Sequence, residues 1–179
     1  MNKMKEIRIE KITLNIGIGE AGDKLEKASL LLSKLTNIKP TFTKSSKRIP
    51  TWGVRPGLTI GTKATLRGKA AEDLLKRLLI AKDNILHPKN FDNQGNLSFG
   101  LPEYIEIPDI EYIPEVGIIG LEVSVTLERP GFRIKKRKYQ RKKLPKSHKI
   151  TREGAMEFIK QKYETNITEE SQDDYESLL

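Results

Sequence analysis

The chain has no cysteine, which removes disulfide cross-links, thiol nucleophiles and every zinc site built on thiolates. Its two histidines, His87 and His148, lie far apart in sequence and cannot by themselves furnish a metal site. Aromatic residues make up only 6%, with a single tryptophan, too few for a platform of stacked rings. No stretch approaches the roughly 18 uninterrupted apolar residues that a membrane helix needs. The opening MNKMKEIRIE lacks the apolar core of a signal peptide. These absences predict a cytoplasmic protein with no membrane partner. At 179 residues, 36% of them hydrophobic, the chain can bury one ordinary core, so one domain is expected.

Acidic residues are missing from two long segments. Residues 38–71 carry eight basic side chains and no acid, and residues 132–152 carry eleven and no acid. Between them, residues 72–131 hold eleven acids against five bases, and residues 164–179 hold six acids and no base. The net charge is +9. Solvated charged faces would explain one lysine-rich run. Two acid-free blocks around an acidic middle instead predict a fold with one face turned to a phosphate backbone.

Periodicity supplies the elements. Ile12, Leu14 and Ile16 alternate with Lys11, Thr13 and Asn15, the pattern of a half-buried strand. Asp23 and Glu26 have the spacing of a capping box for a helix carrying Leu25, Ala28, Leu32 and Leu35. Residues 36–43 read as a turn into a short strand, and 62–68 as a strand with Lys63, Thr65 and Arg67 on its outer face. Ala70, Ala71, Leu74, Leu75, Leu78 and Leu79 predict a helix over 69–87, with His87 at its end and Pro88 stopping it. Residues 104–107 suggest a short strand. Residues 120–128 alternate most clearly of all, and 132–139 can return as a further strand after the Arg-Pro-Gly turn. Thr151 can cap a last helix with Ala155, Phe158, Ile159 and Tyr163 on its apolar side. The expectation is an α+β domain over 1–163, a mostly antiparallel sheet with helices packed on one face and a long basic loop. The acidic 164–179 has little to bury and reads as a disordered tail.

Several motifs come near to enzyme chemistry. Gly17, Gly19 and Gly22 form a GxGxxG between a strand and a helix, as in a dinucleotide site. That reading needs an acid about 20 residues further on for the ribose hydroxyls, and no Asp or Glu lies between Glu26 and Glu72. Glycines serving a tight turn explain the motif better. Gly61 and Gly68 are spaced too widely for a phosphate loop, with Ala70 where its hydroxyl should stand. Both histidines read as structural or solvated. Glu103, Glu106, Asp109 and Glu111 are too scattered for a carboxylate pair and suit a solvated face or a basic protein partner. No catalysis and no cofactor are expected.

The segment 44–61 has two prolines, three glycines and no periodicity, and loops of that length are mostly functional. Lys44, Lys47, Arg48 and Arg55 offer phosphate contacts, and the glycines permit close backbone approach. Trp52 taken alone is better read as folding under the loop with Ile49 than as a stacking face. The loop as a whole is a nucleic-acid candidate.

Five stretches in order, KITLNIGIGEAG, KPTFTKSSKRIPTWGVRPGLTIGTKATLRG, PDIEY, PEVGIIGLEVSVTLERPG and FRIKKRK, resemble the large-subunit ribosomal protein five family, in its archaeal and eukaryotic branch. The resemblance implies a non-catalytic α+β protein of the central protuberance. It implies partners too: 5S ribosomal RNA, 23S ribosomal RNA, the transfer RNA of the peptidyl site and a small-subunit protein across the intersubunit bridge. By position, Asn15 and Thr65 correspond to polar contacts with 5S RNA. Lys39, Lys44, Lys47, Arg48, Lys63, Arg67, Arg133 and Lys135 are the accompanying ribosomal RNA candidates. Trp52, Gly53, Arg55, Gly57 and Gly61 belong to the loop that approaches transfer RNA. The family commonly has Gln before Lys-Pro, where Ile38 stands here. The alternative reading is a less specific basic nucleic-acid binder resting on residues 132–152.

Overall fold

The computed structural model describes residues 2–20 and 22–168. Its main sheet has five antiparallel strands in the order β2-β3-β1-β6-β5. These are β1 (Arg8–Gly17), β2 (Thr41–Lys44), β3 (Thr59–Leu66), β5 (Leu97–Leu101) and β6 (Leu121–Glu128). Helices α1 (Asp23–Thr36), α2 (Lys69–Ile80) and α4 (Arg152–Tyr163) add their apolar stripes to the core on one side of it. The α+β class with helices on one face is therefore as the sequence implies.

Strand β1 lies at the centre because its alternation is completed on both sides. Ile12 and Leu14 are fully buried, paired with Leu66 and Ala64 of β3 and with Val125 and Val123 of β6. The pairing with β6 slips between Ile9 and Lys11. This bulge lets Ile9 and Ile12, three apart, both face the core. Leu31 and Leu32 of α1 and Leu75 and Leu78 of α2 close over them.

Several boundaries differ from the sequence reading. Gly22, with φ 139°, occupies the cap position of α1 without a side-chain cap, so Asp23 and Glu26 lie in the first turn and form no capping box. Helix α2 ends at Ile80, because Asp83 and Asn84 take left-handed conformations and Asn84 N–H turns back to Leu79 C=O at 2.9 Å. His87 thus follows the short strand β4 (Ile85–Leu86) and caps a 3-10 turn, its Nδ1 accepting from Lys89 N–H at 2.9 Å. Residues 104–106 form a 3-10 turn, not a strand. Tyr104 is buried there, and its hydroxyl accepts from Ile113 N–H at 3.0 Å.

The expected strand after the Arg-Pro-Gly turn is a four-residue helix, α3 (Arg133–Lys136). Strand β6 already has β1 on one side and β5 on the other, so no edge is free to receive a returning strand. That place belongs to β5, whose Leu97, Phe99 and Leu101 alternate inward. Residues 164–168 also join the fold: β7 (Asn166–Ile167) pairs in parallel with β4. The rest of the segment read as a disordered tail, from residue 169, lies outside the described residues.

Thr151 does cap α4, its hydroxyl accepting from Gly154 N–H at 3.2 Å. Thr151→Ala is expected to cost about 1 kcal/mol, read as a lower urea midpoint with an unchanged slope.

Candidate nucleic-acid interface

The sheet face turned away from the helices carries no large apolar side chain along its three central strands. One row across it runs Thr41, Lys63, Asn15, Glu122 and Gly100, and the next runs Thr65, Thr13, Ser124 and Ser98. Lys63 and Thr65 are exposed, and Asn15 and Thr13 half-buried. Asn15 Nδ2 donates to Glu122 Oε2 at 2.9 Å, so Oδ1 is the part of the amide left to accept from an RNA hydroxyl or amine. The register thus sets Asn15 and Thr65 on neighbouring rows and adds a line of hydroxyls suited to 2′-hydroxyls and base edges. The sequence reading missed Thr13, Ser124 and Ser98. Their outward alternation was visible, but the register that aligns them was not.

The long basic segment is a hairpin rather than an aperiodic loop. Ser45 and Leu58 exchange a backbone bond at 2.9 Å, and Ile49 and Val54 pair in both directions at 2.9 and 3.1 Å. Val54 is buried and anchors the ribbon, while Pro50–Trp52 form a 3-10 turn at its tip, closed by Gly53 at φ 65°. Trp52 is 75% exposed, so it does not fold under the loop: the turn holds its ring out, and Val54 takes the anchoring role. Lys39 precedes β2, Lys44 ends it, and Lys47, Arg48, Arg55 and Gly57 lie exposed along the hairpin. Gly61 differs from the other loop candidates. It is buried within β3 opposite Gly17 and Thr43, where a Cβ would lie 2.7 Å from Ile16 C=O.

The GxGxxG backbone is committed elsewhere. Ile18 and Gly19 N–H both donate to Ile60 C=O at 2.9 Å, which ties them into the sheet.

Below the two rows, α3 lies against the open face. Lys136 Nζ reaches Glu10 at 2.6 Å and Glu128 at 3.2 Å, Arg67 reaches Glu10 at 3.2 Å, and Arg8 reaches Glu128 at 2.7 Å. The side chains of Glu10 and Glu128 are only 11% and 14% exposed, while Arg8 and Arg67 are each 60% exposed. Burial alone would raise the Glu10 carboxyl, but the hydrogen bonds from Lys136 and Arg67 outweigh it and hold the group below the usual carboxylate range. Burial likewise opposes the charge on Lys136, and its bonds to Glu10 and Glu128 raise its pKa nonetheless. Arg133 and Lys135, the residues singled out from the sequence, are exposed on α3 and make no such contact. Beyond α3 the basic segment carries Tyr139, 76% exposed, with Lys138 Nζ 5.6 Å from its ring centre. It returns to the core where His148 Nε2 meets Pro130 C=O at 2.8 Å and Arg152 bonds Pro88 C=O.

Two family models match the chain: "Ribosomal protein L5" over residues 2–55, and the model of the same ribosomal family's C-terminus over residues 59–158. The chain belongs to the ribosomal protein L5 family. Relatives named large ribosomal subunit protein uL5 agree along nearly their whole length. That of Sulfurisphaera tokodaii is 46% identical over 170 residues, covering 94% of this chain and 96% of its own. That of Sulfolobus acidocaldarius is 45% identical over 168 residues, covering 94% of each. That of Nanoarchaeum equitans is 47% identical over 165 residues, covering 92% of this chain and 97% of its own. The L5 family consists of structural ribosomal proteins, so the chain is not an enzyme. Its two family segments meet inside the hairpin, yet β1 from the first is paired on both sides by strands of the second. They make one sheet. Among the described residues, no helix is long and apolar enough to cross a membrane.

Proposed function

We propose that this chain, a cytoplasmic component of the large ribosomal subunit, binds 5S ribosomal RNA in the central protuberance through the open face of β1 and β3. In this reading Asn15 and Thr65 supply the discriminating contacts. Lys39, Lys63, Arg67, Arg133 and Lys135 hold 5S and 23S ribosomal RNA phosphates, joined by Lys44, Lys47 and Arg48 along the first arm of the hairpin. The hairpin tip, with Trp52 and Gly53, and the returning arm, with Arg55 and Gly57, approach the transfer RNA of the peptidyl site, and a small-subunit protein meets the domain across the subunit interface.

The observation that carries the reading is the open sheet face: two adjacent polar rows, one holding Lys63, Asn15 and Glu122 and the other the hydroxyls of Thr65, Thr13, Ser124 and Ser98, flanked by two acid-free basic segments. Directional polar groups on strands can discriminate, while flanking cations supply salt-dependent affinity. The deciding experiment is a gel-shift titration with 5S ribosomal RNA near physiological salt, in excess transfer RNA. Competitor-resistant binding is expected, and affinity no better than for unrelated RNA of equal length would leave only a general basic binder.

The division of labour is testable within the site. Thr65→Val should reduce preference for 5S RNA with little change in salt dependence, whereas Lys44→Ala should flatten the salt dependence by about one phosphate contact. Equal losses from both on unrelated RNA would contradict it.

A further inference from the structure

Resting on that RNA-binding reading, we propose that Glu10 and Glu128 are positioning residues: a partly buried carboxylate pair that clamps the root of the 132–152 basic segment onto the open face of the sheet. In sequence the two acid-free blocks are separate. In the fold, Lys136 from the second bridges Glu10 of β1 and Glu128 of β6, and Glu10 also takes Arg67, from the turn after β3 in the first block. Glu10 is delivered to this place by the bulge in β1, which turns it out of the strand's regular alternation while Ile9 and Ile12 keep the core.

The arrangement is layered. Both carboxylates are largely covered, whereas the cations above them, Arg8, Arg67 and Lys136, keep about half or more of their side chains in solvent. A polyanion arriving at this face meets cations already oriented by partners beneath them, so less side-chain freedom is lost on binding. Such an acid strengthens RNA binding by alignment although its own charge opposes it.

These two effects have opposite signs, and that makes the test sharp. Wild type, Glu10→Gln, Lys136→Ala and the double variant would be titrated with 5S ribosomal RNA across a range of salt, with transfer RNA as competitor. Removing a carboxylate that only repels phosphate would tighten binding. The clamp predicts instead that Glu10→Gln binds about three- to tenfold more weakly, with a salt slope flatter by about one contact. It also predicts that Lys136→Ala costs less in the Glu10→Gln background than in wild type, because part of what Lys136 contributes runs through Glu10 and the rest through Glu128. Binding of Glu10→Gln equal to or tighter than wild type, or fully additive losses, would overturn the clamp while leaving the RNA reading intact. A wild-type protein that fails to discriminate 5S RNA would remove both.

Should Glu10→Gln prove unfolded, Lys136→Ala settles the matter by hydrogen exchange. Amides at the root of the segment, such as Arg137 and Lys142, which bond Arg133 and Ile134 carbonyls, should exchange faster while β1 stays protected. Unchanged protection there would overturn the proposal.

Discussion

Gly61→Val is expected to lower the melting temperature by roughly 2–12 °C, from an overpacking cost of about 1–3 kcal/mol. The position lies inside β3 with β1 on one side and β2 on the other. A Cβ there would stand 2.7 Å from Ile16 C=O and 2.9 Å from Thr43 Oγ1. The threonine hydroxyl can rotate, but the carbonyl belongs to the central strand and can move only by spreading the sheet. Gly61 lacks the left-handed conformation of Gly53 or Gly57, so the cost is one of space and not of backbone strain. Gly61→Ala should act in the same direction with a smaller shift. Calorimetry checks both, and a Gly61→Val melt within about 1 °C of wild type would show that the strands separate at no cost. Gly61 sits at the base of the hairpin, so the outcome also reads how firmly that hairpin is held against the sheet.

Replacing Lys44, Lys47 and Arg48 together by Ala is expected to weaken 5S RNA binding by about 10²-fold near 0.15 M salt. All three are exposed, and none has an ion-pair partner among the described residues. Their loss should leave the melting curve nearly unchanged. Each phosphate neutralised releases counterions, so the plot of log affinity against log salt should flatten by about two to three for these lost contacts. Fluorescence titration at four or five salt concentrations measures slope and affinity together. A loss below about tenfold with an unchanged slope would place the hairpin away from the RNA.

Much of this fold was legible because the core obeys simple periods. The twofold alternation of Ile12, Leu14 and Ile16, and of Leu121, Val123, Val125 and Leu127, marks strands whose other face is open. The helical spacing of Leu74, Leu75, Leu78 and Leu79 marks α2 just as directly. What the sequence left unread depends on partners. Leu97, Phe99 and Leu101 alternate too, but Ser98 and Gly100 between them make a short, plain run that only its pairing with β6 turns into a strand. Residues 132–139 have strand-like alternation at their start, but both sides of β6, the strand they follow, are already paired.

The interface divides in the same way. Lys63, Thr65 and Arg67 were legible as the outer face of a strand, and the basic blocks as deficits of acid. The carboxylates beneath them were not, because Glu10 and Glu128 look like two more charges on strands whose outer faces are polar anyway. Only the bulge at Glu10 and the return of α3 bring them under Lys136. Trp52 failed for another reason: a lone tryptophan is usually worth burying, but the 3-10 turn that carries it leaves Val54 as the residue that packs.

The order of strands also constrains how the protein can be made. Strand β1 precedes β3 and β6 in the chain, and β3 can zip onto one of its edges as part of the same local region. Its other edge is completed only by Leu121–Glu128. Throughout the synthesis of everything between, a growing chain carries Ile12, Leu14 and Ile16 on a strand with one row of amides and carbonyls unpaired, the arrangement that recruits foreign strands.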